Sequence, residues 1–253
     1  MKQFVKRTLA RYGWEITNTA LRDATALADL SPADRAIALR VAPYTLTGLD
    51  RRASLLQAVE HIVRRGIAGD IVECGVWRGG SAMLCAHMLQ RAGDTRRNIY
   101  LYDTFEGMAA PTEKDVDAAG LIDTKEIWKR SQTGDHNDWC YASLDDVRRN
   151  MASTGLPASR TVFVKGKVED TLPGTLPDSI ALLRLDTDWH DSTVAELTHL
   201  YPLLSPGGVL VVDDYGQWQG QRTALDEFLA KQNIPLLLAR IDGAARMGVK
   251  PAP

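Results

Sequence analysis

The 253-residue chain is poor in cysteine, lacks an excess of either charge, and has no long hydrophobic run. Three cysteines are too few, and odd in number, for a disulfide framework. Such usage fits a reducing compartment, and a cytoplasmic protein is the expectation. A formal net charge of −2 leaves out the basic surplus that nucleic-acid binders carry. No apolar stretch approaches the ~20 residues needed to span a bilayer. The first sixteen residues hold Lys2, Lys6, Arg7 and Arg11 but no apolar core or small-residue cleavage site, so they do not read as a signal peptide. Acids at Glu15, Asp23, Asp29 and Asp34 argue against a membrane-surface helix there. Internal repeats and low-complexity tracts are also missing.

What is present is the rhythm of one α/β domain with a helical extension. Residues 1–40 are rich in Ala, Leu and Arg, with Ser31-Pro32 as a helix start, and read as a solvated helical extension over 1–48 that could serve as an oligomerisation arm or a cap. The main domain is expected over 49–253. Helical spacing of Leu55, Leu56, Val59, Ile62 and Val63 predicts a helix over 49–65, stopped by Gly66. A buried strand over 70–74, a glycine turn over 75–80, a helix over 81–91 and a strand over 98–102 ending at Asp103 open a doubly wound parallel sheet. Residues 107–143, with scattered glycines and Trp128, Trp139 and Tyr141, break the pattern and are expected to form a substrate lid. Strands are predicted over 161–165, 180–185 and 208–212, with a helix over 193–204 closed by Ser205-Pro206-Gly207-Gly208. Short strands over 236–241 and 245–249 around Asp242-Gly243 predict a terminal hairpin. A mostly parallel, Rossmann-like seven-stranded sheet finishing in an antiparallel hairpin is the class I methyltransferase arrangement.

The glycine turn, Glu73-Cys74-Gly75-Val76-Trp77-Arg78-Gly79-Gly80-Ser81, joins strand to helix with the spacing Gly-x-x-x-Gly-Gly. Pyrophosphate sites use Gly-x-Gly-x-x-Gly instead. Glycines let the backbone approach a ligand, the helix start offers free amides, and an acid precedes the first glycine. That combination suits S-adenosylmethionine, which has an amino-acid group and no phosphate. Asp103, at the end of the second strand, is placed to accept ribose hydroxyls. A tight structural connection is the competing reading for either element alone.

Two further strands end in paired acids, Asp186 with Asp188 and Asp213 with Asp214. The carboxyl ends of parallel strands face the ligand crevice, where four carboxylates repel one another unless a cation joins them. All-oxygen donors without a Cys or His cluster point to Mg²⁺. Asp186, Asp213 and Asp214 are assigned to the metal and Asp188 to the base, with His190 as the rival base. Helix capping or solvated loop acids would explain one such pair, less readily two.

Taken together, the glycine motif, Asp103-Thr104-Phe105-Glu106-Gly107-Met108, Leu185-Asp186-Thr187-Asp188-Trp189 and the Asp213-Asp214-Tyr215 run resemble the macrocin O-methyltransferase (TylF-type) family over about 49–250. The resemblance implies S-adenosylmethionine held by Glu73, Gly75, Trp77, Gly79, Ser81, Asp103 and Thr104, with Asp186 beside it. It also implies contacts from Thr45 and Leu46 before the first core helix, and from Gly166, Lys167 and Val168 near the adenine. Mg²⁺ on Asp186, Asp213 and Asp214, a base matching Asp188, and homo-oligomers are further implications. Relatives often carry Tyr at the position of His190. The expected acceptor is a small-molecule hydroxyl on a sugar or other vicinal diol. A catechol-type O-methyltransferase, a non-catalytic S-adenosylmethionine-binding protein and, more distantly, a nicotinamide oxidoreductase are the competing readings.

Overall fold

The computed structural model describes residues 25–252. The first 24 residues, and with them most of the helix expected over 1–40, lie outside the described residues. Helix α1 (Pro32–Arg40) starts as its sequence suggests: Pro32 opens the helix and the Ser31 hydroxyl accepts from the Asp34 amide. It is not a solvated extension. Ile37, Ala38 and Val41 are buried in the same core as Leu56 and Met83, and Arg91 pairs with Asp34 at 2.6 Å. Helix α2 (Leu49–Arg64) buries the face made by Leu55, Leu56, Val59 and Ile62. It ends where Gly66 turns left-handed at φ +62° and Ile67 donates back to the Ile62 carbonyl.

Strand β1 (Asp70–Cys74), helix α3 (Gly80–Arg91) and strand β2 (Ile99–Asp103) form the predicted opening unit. Helix α4 (Thr124–Arg130) lies inside the insertion, and α5 (Leu144–Ser153) follows it. Then come β3 (Thr161–Lys165), the short α6 (Val168–Thr171), β4 (Ile180–Leu185), α7 (His190–His199), β5 (Leu204–Val212), α8 (Gln219–Lys231), β6 (Ala239–Arg240) and β7 (Arg246–Val249). The seven strands lie in the order β3-β2-β1-β4-β5-β7-β6, with β7 antiparallel to β5 and β6.

Both faces of the central strands are covered, as parallel sheets require. Ile71, Leu101, Leu182 and Val211 pack with α2, α3 and α5, while Val72, Tyr102, Leu183 and Val212 pack with Leu197 of α7 and Leu225 of α8. Two boundaries differ from those expected. Helix α7 begins at His190 and ends at His199, three residues earlier and five residues earlier than read from its periodicity. The Ser205-Pro206-Gly207-Gly208 run does not close a helix but bulges within β5, where pairing jumps from Ile180↔Leu204 to Leu182↔Val209. The hairpin strands are also shorter, because the chain enters the sheet only at Ala239.

Candidate active site

The glycine turn is shaped by contact between strand ends. Gly75 has φ +79°, and a Cβ there would fall 2.0 Å from the Asp186 carbonyl oxygen. Only glycine fits so close a crossing of β1 and β4. Asp103 closes the neighbouring end: its Oδ2 accepts from the Val76 and Trp77 amides at 2.6 and 3.2 Å, and its Oδ1 from the Phe105 amide at 2.6 Å. Burial pushes its carboxyl up against the opposing pull of these amides. Asp103 lines a cavity of about 360 Å³.

That cavity is lined by Thr45, Leu46, Gly75, Trp77, Ser81, Asp103 and all four strand-end aspartates. A smaller hollow of about 60 Å³ shares Gly75, Asp103 and Asp186 with it and adds Thr104, Gly166, Lys167 and Val168. Residues from six segments, distant in sequence, are thus gathered along one crevice at the carboxyl edge of the sheet. Glu73, Gly79 and His190 line neither hollow. Glu73 is still within β1, buried, and accepts from Arg184 Nη1 at 2.6 Å, with burial lifting its carboxyl to about 7. Gly79 sits left-handed at the start of α3 against Val147. A larger cavity of about 1030 Å³, lined by Tyr201 and Phe228 among others, lies against α7 and α8 and holds none of these residues.

The four aspartates are alike in sequence and unlike in surroundings. Asp186, Asp188 and Asp214 each turn an oxygen into one space, all within 4.8 Å of one another. Asp213 instead divides its carboxylate between two guanidinium groups, Oδ1 facing Arg184 Nη2 at 2.8 Å and Oδ2 accepting from Arg51 Nη1 at 2.5 Å. The grouping that the structure brings together therefore differs from the expected Asp186, Asp213 and Asp214. Arg184 also meets Asp186 at 2.8 Å, and Arg51 is steadied by Asp242 of the terminal hairpin at 2.7 Å.

The charges do not balance. Among the described residues, the ion pairs of Glu73, Asp186, Asp213, Asp214 and Asp242 all go to Arg51 or Arg184, and Asp188 adds a sixth acid beside them. Burial, reinforced by Asp186, raises Asp188 to about 8, and burial with mutual repulsion holds Asp186 and Asp214 well above the carboxylate range. Asp213 is the exception: although burial opposes it, Arg184 and Arg51 hold its carboxyl below the usual value. Asp214 and Trp218 lie within hydrogen-bonding reach of the Asp188 carboxyl.

Backbone strain gathers here too. Among the described residues, Trp77, Phe105, Cys140, Asp188 and Asn233 are the non-glycine residues at positive φ. Three of them, Trp77, Cys140 and Asp188, line the cavity. Such conformations cost about 1–3 kcal/mol each and persist where the surroundings enforce them. His190, the rival base, has its Nδ1 beside Asp191 Oδ1 at 2.7 Å and Lys114 Nζ at 3.2 Å, outside the carboxylate cluster.

The macrocin-O-methyltransferase (TylF) family matches residues 14–248. The chain belongs to that family. The 8-demethyl-8-(2,3-dimethoxy-alpha-L-rhamnosyl)-tetracenomycin-C 4'-O-methyltransferase of Streptomyces olivaceus is 36% identical over 200 residues, covering 79% of this chain and 73% of its own. Mycinamicin III 3''-O-methyltransferase of Micromonospora griseorubida is 32% identical over 208 residues, covering 81% and 77%. The solved structure of the O-methyltransferase NovP superposes with a TM-score of 0.72 at 35% identity, covering 83% of each chain. The TylF-family chain is thus an O-methyltransferase with the class I fold expected from its sequence.

Several site residues of this TylF-family chain escaped sequence reasoning. Arg51 and Arg184 partition the aspartates, yet neither belongs to a recognisable motif. Arg184 did carry a signal, since a guanidinium inside the buried run 180–185 demands partners. Met108, Trp139 and Cys140 line the cavity from the insertion, and Gln217 and Trp218 from the loop before α8. Asp242 was read as a turn residue only. Its Oδ1 does take the Ala244 and Ala245 amides of the turn, while its Oδ2 holds Arg51.

Proposed function

We propose that the protein transfers a methyl group from S-adenosylmethionine to a hydroxyl of a sugar-bearing natural product, with a divalent cation, Mg²⁺ by its chemistry, at the aspartate cluster. The observation that carries this reading is the continuity of one crevice. A glycine cradle with Asp103 at one end meets a surplus of buried carboxylates at the other. The residues fit both groups. The crevice falls within the few-hundred-Å³ range of small-molecule sites, and the cluster offers only hard oxygen donors, whose proton affinities burial and mutual repulsion raise.

S-adenosylmethionine supplies an electrophilic methyl group, and Mg²⁺ would act as a Lewis acid that lowers the pKa of an acceptor hydroxyl. Thr45, Leu46, Ser81 and the glycine turn would hold the amino-acid portion, Asp103 the ribose, and Gly166 to Val168 the adenine edge. Asp186 and Asp214 would hold the cation, while Arg184 and Arg51 hold Asp213 apart from it. Asp188 accepts the hydroxyl proton, the oxygen lone pair forms the new C–O bond, and the C–S bond electrons return to sulfur. Trp139 and Trp218, set edge-to-face at 6.2 Å, form the wall beside Asp188 and offer an aromatic surface for the acceptor.

The relatives named for rhamnosyl and mycinamicin methylation favour a sugar hydroxyl over a catechol. The test is methyl transfer from labelled S-adenosylmethionine to a panel of deoxysugar glycosides and catechols, with EDTA and with Mg²⁺ restored. Turnover on a glycoside that EDTA abolishes and Mg²⁺ recovers is expected. Preference for catechols would overturn the acceptor, EDTA-resistant turnover the cation, and cofactor binding without turnover on any acceptor the catalytic reading itself.

A further inference from the structure

The insertion over 107–143 is tied to the far side of the crevice at a particular place. Helix α7 begins directly after Asp188 and Trp189, and its N-cap residue is Trp189, which has no side-chain acceptor and makes no capping bond. Helix starts leave amides that need acceptors. Here the acceptor comes from 75 residues away. Asp115 of the insertion is fully buried, and its Oδ1 accepts from the His190 amide at 2.7 Å. Its Oδ2 takes the Thr112 amide and hydroxyl, both at 2.7 Å, while the Thr124 hydroxyl donates to its carbonyl at 2.8 Å. Gly220 leaves the room: a Cβ there would come within 2.3 Å of Asp115 Oδ1.

A second tie lies one residue earlier. Trp189 Nε1 donates to the Ala109 carbonyl at 2.9 Å. Insertion backbone also pairs with the cavity-lining loop, Ala118 donating to Gln217 and Gln219 donating to Val116. Asp188, at φ +72°, is therefore followed by an indole N–H and a backbone amide that both donate to the insertion. The other bonds at this turn are local: the Trp189 amide to the Thr187 carbonyl, the Thr193 amide and hydroxyl to the Trp189 carbonyl, and the Thr187 hydroxyl to Glu196.

We propose that Asp115 is a positioning residue: by capping α7 from the insertion, it fixes the turn that presents Asp188 to the acceptor. The insertion is then part of the reacting centre and not merely a cover over it. This rests on the reading of Asp188 as the proton acceptor. Losing the clasp should displace Asp188 without removing any group that binds cofactor or acceptor, which lowers kcat and spares KM.

Asp115→Ala is the test, with Asp115→Asn as the conservative variant and Asp123→Ala as the control. Asn keeps an oxygen for the His190 amide, and Asp123 only caps α4 within the insertion. Asp115→Ala should lower kcat ~30-fold, in line with the loss expected from ångström-scale misplacement, with both KM values within about threefold. Asp115→Asn should recover most of the rate, and Asp123→Ala should keep it. Amide hydrogen exchange at His190 should quicken at least tenfold in Asp115→Ala and return towards wild type in Asp115→Asn. A kcat for Asp115→Ala within twofold of wild type, an equal loss in Asp123→Ala, or unchanged exchange at His190 would overturn the proposal. Wild-type protein without turnover would sink the function instead, and the exchange measurement would still decide whether the clasp exists.

Discussion

The two ends of the crevice are built from different materials. At the β1–β2 end the work is done by backbone: Gly75 permits the crossing, and Asp103 gathers three amides. At the β4–β5 end it is done by side-chain charge, four aspartates sorted by two arginines. A backbone cradle is set by where glycine sits. A charge cluster is set by which residues happen to meet, and those come from α2, β4, β5 and the terminal hairpin. The first end should respond to changes of shape and the second to changes of charge.

The largest expected effect tests the charged end. Asp214→Asn should reduce kcat by about 10³-fold, the scale of losing a transition-state electrostatic contact, while calorimetry finds S-adenosylmethionine affinity within threefold of wild type. Loss of both together would mean that the two ends are not separable. Next is Gly75→Ala, which breaks the backbone end. A methyl group 2.0 Å from the Asp186 carbonyl must push β1 and β4 apart, so cofactor affinity should fall ~100-fold. Measured binding close to wild type would show that the cradle tolerates a wider crossing.

Arg184→Met sharpens the contrast through stability. It leaves Glu73, Asp186 and Asp213 without their shared counter-ion, and chemical denaturation should show a loss of about 3–5 kcal/mol. The smallest effect lies just outside both ends, at Glu196, buried with Oε2 unpartnered and raised by burial to about 8. Because the folded state binds this proton more tightly than the unfolded state, the group's contribution declines as pH rises from about 4.5 through about 8. Glu196→Gln should therefore be more stable than wild type at pH 9 by ~1 kcal/mol, with the advantage shrinking towards pH 5. Parallel stability curves for the two proteins would contradict that assignment.

The same contrast explains what the sequence discloses. The backbone end was readable because its motif is contiguous: glycine spacing after a buried run announces strand, turn and helix together. The aspartates were readable as a cluster, since both pairs end strands of one sheet. Their division was not readable. Asp213 is set apart by Arg51, 162 positions away, and by an arginine within β4, and neither proximity follows from local pattern. The start of α7 was misplaced for a related reason. Its cap is Asp115 in a distant insertion, so the usual Ser, Thr, Asp or Asn before a helix is missing. The β5 bulge reads as a helix stop in the sequence because Ser-Pro-Gly-Gly is turn chemistry wherever it occurs.

The central claim is that Asp186 and Asp214 hold a divalent cation beside Asp188 at the end of the cofactor crevice. Crystals of the protein grown with Mn²⁺ and S-adenosylhomocysteine, examined by anomalous scattering, test it most directly. One strong peak is expected between the Asp186 and Asp214 carboxylates, in reach of the acceptor space walled by Trp139 and Trp218. No peak there at saturating Mn²⁺, or a peak elsewhere with the cluster still bridged by protons, would contradict it.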